Sequence, residues 1–142
     1  MDSQEASIDS DLQDILQEIR EKPLLQLQAL AAEFLPDDQL PTEYINSLDE
    51  KHKTIALRAC LLVYFTSKCK IIPRQYQLQA TNALEDGLEV IVDSGTGSGK
   101  TLCQIIPNLL HPNTISITVS PLKRLQILQV YILYKHAARQ SL

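Results

Sequence analysis

The chain has 142 residues, of which 44% are hydrophobic and 21% charged, and its formal net charge is −4. That is the size and composition of about one soluble globular domain, and no apolar run approaches the roughly 20 residues that a membrane span needs. The acidic, polar start from Met1 to Asp14 is no secretory signal, so an intracellular chain is expected.

Three cysteines, Cys60, Cys69 and Cys103, are widely and irregularly spaced. No CxxC pair or Cys/His cluster accompanies them, so they read as free thiols rather than zinc ligands or a disulfide framework. The net charge hides an asymmetry. Residues 1–50 hold 13 acidic residues against Arg20 and Lys22, whereas residues 51–142 hold 11 basic residues against Glu85, Asp86, Glu89 and Asp93. A basic remainder suits phosphate or nucleic acid, and on charge alone it equally suits an ordinary solvated surface.

In chain order, the first element is a helix over Asp9–Lys22, with Leu12, Ile15, Leu16 and Ile19 on one stripe and Asp9, Ser10 and Asp11 at its start. Pro23 suits the first turn of a second helix, which carries Leu24, Leu27, Leu30 and Ala31 and reaches Phe34. Leu35 to Thr42, with Pro36 and Pro41, reads as a turn-rich connection. A third helix is expected over about Glu50–Ser67, carrying Ile55, Leu57, Ala59, Leu62 and Val63. These stripes are packing faces, and no catalytic constellation precedes residue 70.

After Cys69 the texture changes. Gln75–Glu85 reads as a helix closed by Gly87. Leu88–Asp93, rich in Val and Ile, reads as a short strand, and Ser94–Gly99 as a Gly-rich turn. Lys100–Leu110 reads as a helix interrupted at Pro107. Ile115–Val119 reads as a second buried strand, and Leu122–Lys135 as a further helix. That order is the beginning of a βαβ unit, so the expected fold class is α/β with a parallel sheet over 70–142, behind an acidic α-helical region over 1–69.

The sharpest feature is the run Ser94-Gly95-Thr96-Gly97-Ser98-Gly99-Lys100-Thr101. A polyphosphate needs several backbone N–H groups turned into one concavity. Glycines permit the backbone angles this requires, and a following helix directs its N-terminal amides and positive dipole end at the anion. Lys100 supplies an ammonium to the outer phosphates, and the Thr101 hydroxyl is suited to ligate Mg²⁺. The general pattern GxxxxGK[ST] puts its first glycine at Ser94, where the small side chain and neighbouring Gly95 still allow the turn. A nucleotide polyphosphate with Mg²⁺ is therefore the expected ligand pair. A hydrolysing loop of this kind works with an acid at the end of another strand. No Asp or Glu occurs from Leu102 to Leu142, and Asp93 lies on the loop's own strand. Binding without turnover is expected.

Three segments together resemble one family. Pro73-Arg74-Gln75-Tyr76-Gln77-Leu78-Gln79-Ala80 resembles motif 0 of RecQ-like helicases, an Arg-x-x-Gln. Thr96–Thr101 looks like the TGSGKT of motif I in superfamily 2 helicases. Ser120-Pro121-Leu122-Lys123-Arg124-Leu125, followed by Gln126 and Gln129, is similar to motif Ia. The resemblance covers about residues 70–130, and the wording around these motifs also resembles that of RecQ-type helicase genes of fungi.

It implies that 70–142 is an incomplete RecA-like P-loop domain, and that this chain is the N-terminal part of an ATP-dependent DNA helicase acting in the nucleus, without the DExH motif and the second RecA-like domain. It also implies that Gln77 hydrogen-bonds an adenine edge with Arg74 near the base. Ser94, Gly95, Thr96, Gly97, Ser98, Gly99, Lys100 and Thr101 then hold the triphosphate and Mg²⁺. Ser120, Lys123 and Arg124 touch the backbone of single-stranded DNA. Ser94 and Gly95 stand where many superfamily 2 sequences have Ala and Pro, and Ile71 and Ile72 replace an aromatic residue. Two readings of other classes stay open: a non-catalytic interaction module working through the acidic helices, and a small phosphate-transfer enzyme built on the loop.

Overall fold

The structure, a computed structural model, describes residues 3–95, 97–117 and 119. Six helices hold 65% of these residues. They are α1 (Ser3–Glu21), α2 (Leu24–Phe34), α3 (Thr42–Ser47), α4 (Glu50–Thr66), α5 (Gln75–Glu85) and α6 (Lys100–Leu110).

The centre of the molecule is α4. Asp49 begins it, its carboxylate accepting the His52 amide at 2.8 Å. That bond satisfies one of the N–H groups a helix start leaves without a partner. Ala56, Leu57, Ala59, Cys60, Leu61, Leu62 and Val63 are all buried, so α4 is apolar nearly all round rather than along one stripe. The other five helices pack on it. Each brings a narrower face: Leu16 and Ile19 from α1, Leu27 and Ala31 from α2, Ile45 from α3, Leu78 from α5, and Ile105, Ile106 and Leu109 from α6. One core thus draws on both sides of residue 69. Of the stripe expected on α1, Ile15 is left exposed.

Helix ends are set by short-range chemistry. Past α4, the Lys68 amide donates to the Phe65 carbonyl at 3.3 Å and the Cys69 amide to the Tyr64 carbonyl at 2.8 Å. This is a Schellman pattern in which Lys68 and Cys69 take left-handed angles, φ 57° and 61°. The same pattern closes α5. Gly87 donates to Leu84 and Leu88 to Ala83, both at 3.0 Å, and the φ of 76° at Gly87 is one that glycine adopts without strain. Two arginines cap helix ends from a distance. Arg58 donates to the Ile19 and Lys22 carbonyls, and Arg20 reaches from α1 to the Leu109 carbonyl at 2.8 Å, near the end of α6.

The expected α/β class is overturned: the described residues form an all-helical structure with no strand. Leu88–Asp93 runs as irregular chain, as do Ile115 to Ile117 and Val119. A strand is defined by a ladder to a neighbour, and the preference of Val and Ile for strands reflects their fit to a pleated, half-buried surface. Among the described residues that surface is missing. Ile91 is 95% exposed, Ile115 93%, Ile117 87% and Val119 90%. Two further expectations need correcting. Pro107 does not interrupt α6, which runs unbroken from Lys100 to Leu110; and residues 42–47, given no helix by the sequence pattern, form α3. The helix expected over Leu122–Lys135 lies outside the described residues.

Candidate phosphate-binding site

The site is built where α5 begins, where α6 begins, and on the loop between Asp93 and Gly99. At the start of α5, Gln77 folds back so that its Oε1 accepts the Arg74 amide at 2.7 Å, the N-terminal device of a capping box. Its Nε2 donates to the Gly99 carbonyl at 2.8 Å. Gln77 is 3% exposed, so both ends of the amide are spent inside the protein. Beside it, the Tyr76 hydroxyl donates to the Ser98 carbonyl, and the Arg74 guanidinium reaches the same oxygen at 3.4 Å. Three side chains from one turn of α5 therefore hold two consecutive carbonyls of the loop.

The loop has its own closure. The Ser94 and Ser98 hydroxyls lie 2.6 Å apart, and the Ser98 amide donates to the Gly95 carbonyl at 3.2 Å. Ser94 is thus more than a small residue standing where the pattern has glycine, because its hydroxyl ties the two ends of the turn. Gly97 and Gly99 have φ of 79° and 90°, angles that a side chain makes costly. At Gly99 space is also short: a Cβ there would sit 2.8 Å from the Gln77 Nε2. Gly99 is the residue before α6, in left-handed geometry with ψ 29°.

Lys100 and Thr101 head α6, so both sit in the first turn, where amides lack intrahelical acceptors and the helix dipole is positive. Lys100 is exposed and Thr101 half-buried. A groove of about 570 Å³ runs along this junction. Gly97, Ser98, Gly99 and Thr101 line it near the loop, while Val63 and Leu109 make it apolar further away. Cys103, two residues beyond Thr101, is buried, and burial pushes its thiol pKa up. It is therefore a packing residue of α6 rather than a reactive group.

Of the site residues expected from sequence, the structure brings together Arg74, Gln77, Ser94, Gly95, Gly97, Ser98, Gly99, Lys100 and Thr101. Thr96 lies outside the described residues, and so do Ser120, Lys123 and Arg124 of the expected DNA contact. Tyr76 is a site residue that sequence reasoning passed over. An aromatic residue in the first turn of a helix carries no local sign that its hydroxyl reaches a loop 22 positions away.

No curated protein and no solved structure matches the chain. A family model does, over a little under half of it, and the match starts at Arg74, the first residue of the Arg-x-x-Gln segment. Residues 74–139 match the model of the DEAD/DEAH box helicase family, to which this stretch is similar.

Proposed function

We propose that the chain binds ATP with Mg²⁺ through Ser94–Thr101, as the nucleotide-binding part of a RecQ-like, ATP-dependent DNA helicase of the fungal type. One observation carries the reading: a glycine-rich loop with left-handed Gly97 and Gly99 delivers Lys100 and Thr101 to the first turn of α6, beside an open groove. Gly95, Gly97 and Gly99 supply backbone N–H groups to the phosphates, with Ser94 and the Ser98 amide closing the turn. Lys100 neutralises the outer phosphates, and the Thr101 hydroxyl is the ligand for Mg²⁺. The metal supplies charge neutralisation at the phosphates. The protein's share is to bind, orient and hold the chain of phosphates in place.

Arg74 stands beside the loop and the groove, where it can approach the nucleotide. For Gln77, reading an adenine edge means exchanging its bonds to the Arg74 amide and Gly99 carbonyl for bonds to the base. Ser120, Lys123 and Arg124 are proposed to meet the phosphates of single-stranded DNA, which implies work in the nucleus. The residues from Leu102 onward contain no acid, so these 142 residues are proposed to bind without releasing phosphate. The test is binding of a fluorescent ATP analogue with Mg²⁺, compared with Lys100→Ala. Loss in the variant supports the reading, and equal binding by the two would sink it.

A further inference from the structure

We infer that Tyr76 is a positioning residue of the phosphate loop, its hydroxyl holding the Ser98 carbonyl so that the Gly99 amide faces the bound phosphate. The inference rests on the nucleotide-binding reading and deepens it. A trans peptide unit is planar, and its C=O and N–H point in opposite directions. Whatever fixes the Ser98 carbonyl therefore fixes the Gly99 N–H, and whatever fixes the Gly99 carbonyl fixes the Lys100 N–H. The Tyr76 hydroxyl donates to the first carbonyl and the Gln77 Nε2 to the second. Both donors come from α5, so both amides are turned to the side away from α5. Glycine angles alone do not choose this orientation, because a residue free to take φ of 79° or 90° is also free to leave it. The clip removes that freedom before the ligand arrives, and preorganised donors lose less entropy on binding.

Tyr76 is suited to a clean test because its ring and hydroxyl do separate things. Tyr76 is half-buried in the first turn of α5, and its hydroxyl is the atom that bonds the Ser98 carbonyl. Tyr76→Phe keeps the ring and removes the donor. Affinity for MgATP and for inorganic tripolyphosphate, which has no base or ribose, is expected to fall together by about three- to tenfold, the worth of one net hydrogen bond. In the parent, the amide resonances of Gly99 and Lys100 are expected to move on titration with tripolyphosphate. In Tyr76→Phe the Gly99 shift is expected to shrink while the helical circular dichroism stays that of the parent. If Tyr76→Phe binds both ligands as the parent does, while Lys100→Ala has lost them, the clip is wrong and the nucleotide reading stands. Loss of MgATP with tripolyphosphate binding kept also overturns it, since Tyr76 then acts at the base. If the parent itself shows no Lys100-dependent binding, the nucleotide reading fails and the clip goes with it.

Discussion

Gly99 is the most constrained residue of the site. It needs φ of 90°, and a Cβ would stand 2.8 Å from the end of a Gln77 side chain that is buried and bonded on both sides. The nearest atom belongs to a side chain, yet Gln77 moves only by giving up its bond to the Gly99 carbonyl or the Arg74 amide. Gly99→Ala is expected to cost about 1–3 kcal/mol of folding stability, the usual cost of a side chain held in a left-handed region, and to weaken nucleotide binding. A urea titration showing parent-like stability for Gly99→Ala would contradict this. The contrast with Gly95 is instructive, since that position has open space around it. At this scale the sequence was legible where chemistry is local. The GSGKT run and the residue types of the loop could be read directly. The bonds from Tyr76 and Gln77 to the loop could not, because they depend on how α5 lies across it.

At the scale of elements, two histidines tie helix ends together. His52, in the first turn of α4, lies 2.7 Å from Asp49 and 2.8 Å from Asp86 at the end of α5, and Lys51 joins Asp86 at 2.6 Å. His111, just past α6, meets Glu85 at 2.7 Å. The groups facing His52 are thus Asp49, Asp86 and the neighbouring Lys51. The ring's hydrogen bond to Asp86, then its one to Asp49, hold the His52 pKa above its ordinary value of 6.5. A raised folded-state pKa gives stability that is fully present below the ordinary value and is lost as pH rises through the raised one. Hydrogen bonds from Lys51 and His52 depress the Asp86 carboxyl below 3.8, and His52 does the same for Asp49, chiefly through its backbone amide. Their contribution is present above 3.8 and fades as pH falls through the depressed values. The urea midpoint is therefore expected to decline as pH rises above the ordinary histidine value of 6.5, and His52→Gln is expected to flatten that decline. An unchanged slope in the variant would assign the dependence elsewhere. Element boundaries for α2, α5 and α6 were legible because Pro23, Gly87 and the glycines before Lys100 punctuate the chain. The strands were not, because a strand requires a partner that a local pattern does not supply; α3 was not, because six residues are too few to show a helical period.

For the whole molecule, the structure separates a packed helical body from exposed apolar chain at Ile91, Ile115, Ile117 and Val119. Arg20 bridges α1 and the end of α6, and α4 lies under both, so the acidic helices and the helix that heads the phosphate loop share one core. The thiols report on that body. Cys60 sits in the core with its pKa pushed up to about 12 by burial, Cys103 is buried in α6, and Cys69 is exposed on the turn after α4. With a thiolate-specific reagent, Cys69 is expected to react at once, while Cys60 reacts only at the rate of global unfolding. Rapid labelling of Cys60 in the native chain would mean that the core is not packed as described. The measurement that bears most directly on the account is equilibrium binding of a fluorescent ATP analogue with Mg²⁺ to the parent and to Lys100→Ala, with phosphate release followed in the same samples. The account predicts saturable binding by the parent, loss of it in Lys100→Ala, and no phosphate from either. Equal binding by both proteins would contradict the phosphate loop itself, and Lys100-dependent phosphate release would contradict binding without turnover.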